Sequence, residues 1–250
     1  MKIKICTQRC IYHHADALCA LLQSMGHDVS VVHEVDPTDE TLYIIYVAFE
    51  AGTPKRYIVY QTEIHGTHWW TDHYREQCRG ALQIWDYSAE NMHHYDFGNP
   101  KFLIPPFEFE VGELPKKDIE LMFYGGVNQR RRQRLDAVKL RSRVPVMIVE
   151  HTFGDAMLDI LRRTKVVLNI HALDQAPQEA FRITEALSCG CRVVTEGRGG
   201  HTASGRVRYM DNFKTWHDIL LSRWPQGPAI ERFAPDIKLI RYALSLIIDN

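Results

Sequence analysis

Residues 165–196, KVVLNIHALDQAPQEAFRITEALSCGCRVVTE, contain two apolar runs of strand length on either side of a helix-like segment. The first run, 165–170, is apolar enough to form a strand buried on both faces, and the second run covers 192–195. Pro177 suits the first position of the intervening helix, and Gly190 suits its end. A strand, a helix and a second strand in this order predict a βαβ unit with parallel strands.

The same alternation continues outside this segment and predicts an α/β protein. Further strands are predicted over 2–6, 29–32, 42–47, 57–60, 81–85, 102–104, 119–124 and 144–149, and helices over 15–25, from Ser88, over 128–141 and over 153–162. A stretch from Pro105 to Lys117, rich in Pro, Glu and Gly, is typical of a linker. We therefore predict two Rossmann-like domains, residues 1–112 and 117–227.

The C-terminal residues 228–250 form a separate pattern. Apolar side chains recur there at alternating spacings of three and four, at positions 230, 233, 237, 240, 244 and 247. This spacing predicts an amphipathic helix with one apolar stripe. We expect the helix to cross back to the N-terminal domain, with dimerisation as the alternative; the sequence leaves the oligomeric state open.

Composition limits the class of protein. The 250 residues include 30 Lys and Arg against 31 Asp and Glu, a net charge of -1. This balance argues against a protein whose whole surface binds nucleic acid. No apolar run approaches the roughly 18 residues that cross a bilayer, and the N-terminus lacks a signal-peptide core. The sequence thus predicts a cytoplasmic protein of enzyme size. The six cysteines and 13 histidines follow no metal-ligand spacing, and we predict no metal site.

Two glycines follow the predicted strand that ends at Tyr124. Gly125 and Gly126 allow a tight turn, and Asn128 can cap the next helix. Free backbone N–H groups at a helix start, with the guanidinium of Arg130 nearby, favour a phosphate group, although a plain turn has the same sequence features. The whole helix carries seven cations, at positions 130, 131, 132, 134, 139, 141 and 143. It is interpreted as a solvated face, a diphosphate contact by one early arginine or a nucleic-acid backbone contact.

Three charged side chains lie on one side of the helix predicted over 178–188. Glu179, Arg182 and Glu185 are spaced i, i+3 and i+6 near its N-terminal half. Charged groups near the carboxyl ends of parallel strands are placed to meet a ligand, and a carboxylate there can accept both hydroxyl hydrogens of a ribose.

The segments FYGGVNQRR and TKVVLNIH…EAFRITEALSCGCRVVTE together resemble the nucleotide-sugar-binding half of GT-B glycosyltransferases, most closely the retaining group with an E-x7-E element. The resemblance covers residues 119–197 and implies two Rossmann-like domains facing a cleft, with the acceptor on the N-terminal side. It implies a nucleoside-diphosphate sugar, expected to be a UDP-sugar, as donor and no other cofactor.

Carried over by position, the resemblance makes Glu185 the second glutamate, which holds the ribose, and Gly125, Gly126 and Arg130 the diphosphate turn. The first glutamate of the element is absent, because Pro177 stands at its position. Glu179 could replace it, or Arg182 could serve in another way. His171 could reach a phosphate or a sugar hydroxyl, or could be a plain loop residue.

The implied reaction needs cations at the leaving phosphate, and many GT-B enzymes carry it out without a metal. An inverting outcome would require a base from the N-terminal domain, for which Glu63, His13 and His14 are candidates beside their reading as surface or packing residues. Residues 65–74, HGTHWWTDHY, show no period and predict a lid or acceptor loop whose tryptophans stack on a ligand or pack in the core.

The acceptor is expected to be a saccharide, a lipid-linked group or a protein. Hydroxymethylated phage DNA is the alternative acceptor, which would place the protein in a host cytoplasm. A non-catalytic nucleotide-binding module with the same fold is a third hypothesis, and the missing first glutamate favours it.

Overall fold

The computed structural model describes residues 1–46, 53–142, 144–174, 176–196, 207–210 and 234–248. The chain divides into two compact units: unit 1 comprises Met1–Pro106 and Pro235–Asn250, and unit 2 comprises Phe107–Ala234. Within each unit the strands pair in parallel, so the predicted α/β class with Rossmann-like sheets is confirmed.

Unit 1 contains a six-stranded sheet in the order β2-β1-β3-β4-β5-β6. Its strands are β1 Lys2–Cys6, β2 Asp28–Val32, β3 Leu42–Tyr46, β4 Tyr57–Gln61, β5 Gln83–Asp86 and β6 Lys101–Leu103, and its first three helices are α1 Tyr12–Ser24, α2 Asp72–Gly80 and α3 Ala89–Met92. Every residue of β3, β4 and β5 is buried, as expected for central strands covered on both faces. The strand β2 lies at an edge, and Val29 is its one buried residue.

Unit 2 contains a five-stranded sheet in the order β11-β10-β9-β7-β8. Its strands are β7 Ile119–Tyr124, β8 Val146–Val149, β9 Thr164–Asn169, β10 Arg192–Glu196 and β11 Val207–Met210, and its helices are α4 Gln129–Arg141, α5 Gly154–Arg163 and α6 Ala180–Ser188. Alternate side chains of β7 serve opposite faces. Leu121 and Phe123 pack with α4, whereas Met122 and Tyr124 pack with α5 and α6.

The sequence predicts a linker from Pro105 to Lys117, but from Phe107 onward this segment belongs to unit 2. Phe109 donates its backbone N–H to Ser188 Oγ at 3.0 Å. Lys117 Nζ donates to the carbonyl oxygens of Arg162, Thr164 and Cys189 at 3.2, 2.8 and 2.8 Å. One ammonium group therefore satisfies carbonyls at the C-terminal ends of both α5 and α6, where orphan acceptors and the helix dipole favour a cation.

The helix α2 replaces part of the loop expected over 65–74. It begins at Asp72, and the hydroxyl of Thr71 accepts from the backbone N–H of Tyr74 at 3.1 Å as an N-cap. Trp70 is a core residue that packs on Tyr74 and Tyr95, whereas Trp69 is 46% exposed. The sequence missed this helix because only three of its side chains are buried.

The last described helix is α7, Ile237–Ile248, which belongs to unit 1. The buried side chains of its stripe are Ile240, Ala243, Leu244 and Ile247. Gln83 Nε2 on β5 donates to the carbonyl oxygen of Ala243 at 2.6 Å. The expected stripe positions 230 and 233 lie outside the described residues. Nowhere in the described ranges is there a helix both long enough and apolar enough to cross a membrane.

Candidate functional site

The carboxyl ends of β7 and β9 mark the place in unit 2 where the chain changes direction. These two strands are neighbours in the sheet, yet β7 leads through α4 to β8 on one side and β9 leads through α6 to β10 on the other. In open parallel sheets, ligands bind in the crevice that opens between two such strands. The residues that follow β7 and β9 therefore form the candidate site of unit 2.

Gly125 follows β7 directly and has a backbone that requires glycine. Its φ is +114°, and its N–H donates to the carbonyl oxygen of Val149 at 3.0 Å. A Cβ atom at this position would lie 2.7 Å from Nη2 of Arg182, well inside contact distance. The glycine therefore allows a guanidinium to lie directly over the turn.

Two arginines meet beside this turn and share one carboxylate. The buried Arg131 donates from Nη2 to Glu179 Oε1 at 2.7 Å and from Nη1 to the carbonyl oxygen of Gly126 at 2.8 Å. Arg182 forms an ion pair with Glu179 Oε2 and donates from Nη1 to Asn169 Oδ1 at 3.3 Å. Both oxygens of Glu179 are thus engaged, and its observed role is to hold the two guanidinium groups, which we name the arginine pair.

The arginine pair carries a local excess of positive charge. Burial lowers the pKa of Arg131, and the charge of Arg182 lowers it further. Among the described residues, Nη2 of Arg182 has no hydrogen-bond partner, although it lies beside Gly125. Two cations against one carboxylate at the start of α4 form a site that an anion would stabilise.

Arg130, the arginine expected at the turn, points elsewhere. Its guanidinium donates to Asp174 Oδ1 at 2.6 Å, to the carbonyl oxygen of His171 at 2.7 Å and to Glu196 Oε2 at 2.8 Å. These contacts hold the loop after β9 against the end of β10. Arg131, one residue further on, takes the place beside the glycine turn that the sequence assigned to Arg130.

The helix α4 begins with the N-cap residue that the sequence predicts, Asn128. Asn128 Oδ1 accepts from the backbone N–H of Arg131 at 2.9 Å, so the predicted N-cap is confirmed, and its Nδ2 donates to the carbonyl oxygen of Ala172 at 2.7 Å. Glu150 Oε1 already accepts the N–H of Val127 at 2.7 Å. Within the described residues, the N–H groups of Gly126 and Asn128 have no protein acceptor, which leaves them available at the turn.

Glu185 is buried on the inner face of α6. Its Oε2 accepts from the hydroxyl of Tyr124 at 2.9 Å, and its Oε1 has no hydrogen-bond partner in the described part of the chain. Burial raises the pKa of Glu185 to about 7, although Tyr124 and Arg182 act in the opposite direction. The expected carboxylate therefore lies one helical turn from Arg182 but is bonded at one oxygen rather than open at both.

His171 follows Ile170 after β9, and Glu196 contacts it twice. Its backbone N–H donates to Glu196 Oε2 at 2.9 Å, and its ring Nε2 lies 2.9 Å from the carbonyl oxygen of the same residue. Nδ1 of the ring is buried without a hydrogen-bond partner in the described residues. The neighbouring carbonyl of Ile170 accepts from Arg131 Nε at 2.8 Å, which places the histidine next to the arginine pair along the chain.

The comparison with known families concerns this part of the chain. Residues 112–204 match the model of a family described as "Glycosyl transferase-like". This match supports a glycosyltransferase. It covers less than half of the chain but includes β7–β10 and all residues of the arginine pair. A search of curated proteins finds no match.

Unit 1 has a buried polar cluster of its own at the carboxyl ends of β4 and β5. Glu63 lies just beyond β4, and burial raises the pKa of its carboxyl to about 7. Asp86 at the end of β5 is fully buried, accepts a hydrogen bond from the Tyr95 hydroxyl, and has its pKa raised by burial to about 8. Asn91 Nδ2 donates to the carbonyl oxygen of Glu63 at 2.9 Å and to Asp86 Oδ1 at 3.4 Å, which joins the two segments.

The sequence singled out Glu63 but missed Asp86, because an aspartate at the end of a strand also suits a turn. Asp86 is the one charged residue of β5. This single charge at the end of an otherwise uncharged strand is the sequence signal that could have identified it. The other two base candidates lie in the first turn of α1. His13 is half-buried against the ring of Tyr12, and His14 is buried.

Three arginines of the basic helix α4 form ion pairs with acids of their own unit. Arg130 and Arg134 pair with Glu196, and Arg131 pairs with Glu179. Arg132 and Lys139 are exposed, position 143 lies outside the described residues, and nothing is described for the side chain at position 141. These ion pairs offset part of the charge on which a nucleic-acid contact would depend. Within the described ranges, no three His, Cys, Asp or Glu side chains gather as a metal site would require.

Proposed function

We propose that this protein transfers a sugar from a nucleoside-diphosphate sugar, expected to be a UDP-sugar, to a hydroxyl group of an acceptor. Unit 2 would bind the donor at the carboxyl ends of β7 and β9. The observation that carries the proposal is the arginine pair, in which Arg131 and Arg182 share Glu179 and lie beside Gly125. A diphosphate supplies the negative charge that this arrangement lacks.

The same pair suits the chemistry of the leaving group. When the bond from the anomeric carbon to the β-phosphate breaks, negative charge develops on the phosphate. A guanidinium already held by Asn169 and Glu179 can stabilise that charge without reorganising, which is the main source of electrostatic catalysis. We therefore propose metal-independent transfer, in which the arginines take the part that a divalent cation plays elsewhere.

Glu185 would hold the ribose in this scheme. The Tyr124 hydroxyl fixes Oε2, and Oε1 can accept from a ribose hydroxyl when the carboxyl is ionised. Because the pKa of Glu185 is raised to about 7, its hydrogen bond to ribose strengthens as pH rises through neutrality.

The unit-1 residue with the most suitable pKa for a general base is Glu63, also at about 7. We propose it as the base for an inverting reaction; a retaining reaction would not need it.

The position of the first glutamate of the E-x7-E element is occupied by Pro177, and the nearby Glu179 is engaged with the arginine pair. This favours a second candidate, a binding module that keeps nucleotide affinity without turnover. The GT-B arrangement of two lobes, a retaining outcome, a cytoplasmic location and transfer to hydroxymethylated DNA remain proposals alongside the leading one.

The test combines calorimetry with an assay of UDP release. Wild-type protein should bind UDP, and Arg182→Gln should weaken binding more than tenfold, since it removes a charge-assisted contact. Arg132→Gln removes a neighbouring exposed cation of α4 and should leave affinity within twofold. Arg182→Lys should recover only part of the affinity because it lacks the planar fork.

Each outcome separates the candidates. Absence of UDP binding by the wild type would refute the proposal as a whole. Binding without UDP release, across UDP-sugars and across saccharide and hydroxymethylated duplex DNA acceptors, would establish the binding module. Release that depends on the DNA acceptor would identify DNA as the substrate.

A further inference from the structure

The hydrogen bonds of His171 determine which ring nitrogen carries the proton. Nε2 lies 2.9 Å from the carbonyl oxygen of Glu196, and a carbonyl oxygen only accepts. Nε2 must therefore carry the hydrogen and donate it. The backbone N–H of His171, bonded to Glu196 Oε2, fixes the same residue from a second direction.

In the tautomer that carries its hydrogen on Nε2, the other ring nitrogen, Nδ1, is a hydrogen-bond acceptor. No donor to Nδ1 is present among the described residues. His171 is 6% exposed and Nδ1 is buried, so its lone pair has no donor unless a ligand supplies one.

The place of the histidine relates this acceptor to the anion site. Ile170, the residue before it, accepts from Arg131, and Asn169, two residues before it, accepts from Arg182. Both members of the arginine pair are thus bonded to the two residues that precede His171. The anion site and the loop that carries Nδ1 are therefore adjacent along the chain.

We infer that Nδ1 of His171 accepts a hydrogen bond from a hydroxyl group of the nucleotide sugar. The inference rests on the proposed function of unit 2. A diphosphate oxygen in contact with the arginines carries no hydrogen to donate, whereas ribose and the transferred sugar both carry hydroxyl groups. The residue would therefore distinguish hydroxylated ligands from bare anions, a role separate from that of the arginine pair.

Two conservative variants separate the two ring nitrogens. In His171→Gln the amide nitrogen can take the place of Nε2 and keep the bond to Glu196, but the acceptor at Nδ1 is lost. In His171→Asn the amide oxygen can take the place of Nδ1 and keep the acceptor, but the bond to Glu196 is lost. His93→Gln makes the same chemical change at an exposed histidine of unit 1 and serves as control.

Isothermal titration calorimetry with pyrophosphate, UDP and UDP-glucose provides the readout. We expect His171→Gln to bind UDP-glucose roughly five- to tenfold more weakly than wild type, the loss typical of one hydrogen bond. Pyrophosphate affinity should stay within twofold, and His171→Asn should lie closer to wild type. Loss with UDP as well as UDP-glucose assigns the contact to ribose; loss with UDP-glucose alone assigns it to the transferred sugar.

Unchanged affinity of His171→Gln for UDP and UDP-glucose would overturn the inference while leaving the proposed function intact. Equal weakening of all three ligands would also overturn it, because the histidine would then act only by supporting the arginine pair. So would equal losses in the Gln and Asn variants. Failure of wild-type protein to bind either pyrophosphate or UDP would instead refute the proposed function, and the inference with it.

Discussion

Gly125→Ala should damage both stability and ligand binding, and Gly126→Ala should do neither. At Gly125 the new methyl group meets two costs. The backbone φ of +114° is strained for a residue with a side chain, at about 1–3 kcal/mol, and the Cβ atom would lie 2.7 Å from Nη2 and 3.3 Å from Cζ of Arg182. Arg182 cannot simply swing away, because Glu179 and Asn169 hold it.

The neighbouring glycine is a matched control. A Cβ atom at Gly126 meets no heavy atom within 4 Å, and its φ lies outside the left-handed region. We expect Gly125→Ala to lose about 2–4 kcal/mol in the free energy of unfolding, and Gly126→Ala to stay within about 1 kcal/mol of wild type.

Urea denaturation measures the stabilities, and calorimetry with UDP measures the binding. Gly125→Ala should also bind UDP more than tenfold more weakly, because Arg182 is displaced from the turn. If the two alanine variants proved equally stable and bound UDP equally well, the close approach of Arg182 to Gly125 would be wrong, and the proposed diphosphate site with it.

Three further perturbations test other parts of the structure. Lys117→Met should lower the free energy of unfolding by about 3 kcal/mol, because three carbonyl oxygens lose a charged donor. The control Lys116→Met removes an exposed lysine and should change the free energy of unfolding little. Equal effects of the two variants in urea denaturation would contradict the role of Lys117. Burial raises the pKa of Asp86 to about 8, so its contribution to stability is fully present below the unfolded pKa near 4 and is lost as pH rises through 8. Asp86→Asn should reduce the loss of unfolding free energy between pH 5 and pH 8.5, measured by urea denaturation at both values. An equal loss in wild type and variant would refute the raised pKa of Asp86. Glu185→Ala should weaken UDP binding by about 1.5–3 kcal/mol in calorimetry, and unchanged affinity would remove Glu185 from the site.

Local sequence signals were sufficient for most of the fold. Apolar runs such as 119–124 and 165–170 are long enough to be recognised as buried strands, and Asn128 marks the start of α4 by its capping side chain. The helix α2 was missed because its sequence, DHYREQCRG, has few apolar residues. The sequence signal for α2 is the capping residue Thr71, which a search for apolar periodicity does not detect.

The arginine beside the glycine turn could also have been found from the sequence. Leu135 and Val138 are the apolar residues in the middle of the predicted helix 128–141, and both face inward with 1% exposure. Arg131 precedes them at helical spacings of four and seven, so it shares their face and must point toward the sheet. Arg130 is rotated by about 100° from that face, which is why it reaches the end of β10 instead. The sequence could not identify Glu179 as the ion-pair partner of Arg131, because Glu179 lies at the start of another helix, α6.

Charge balance distinguishes two carboxylate centres that look alike in the sequence. Glu196 receives Arg130 and Arg134, and Asp174 adds a second carboxylate to Arg130. Two cations meet two anions, so this centre is neutral. It ties the loop after β9 to the end of β10, and an added phosphate there would have to displace an existing carboxylate.

The centre at Glu179 is different because two guanidinium groups share a single carboxylate. Glu185 adds little compensation at or below neutral pH, since burial raises its pKa to about 7. The excess positive charge therefore arises because one acid, Glu179, pairs with arginines from two different helices, α4 and α6. An anion brought to Gly125 adds the missing negative charge without breaking an ion pair, which is why we propose the diphosphate site here and not at Glu196.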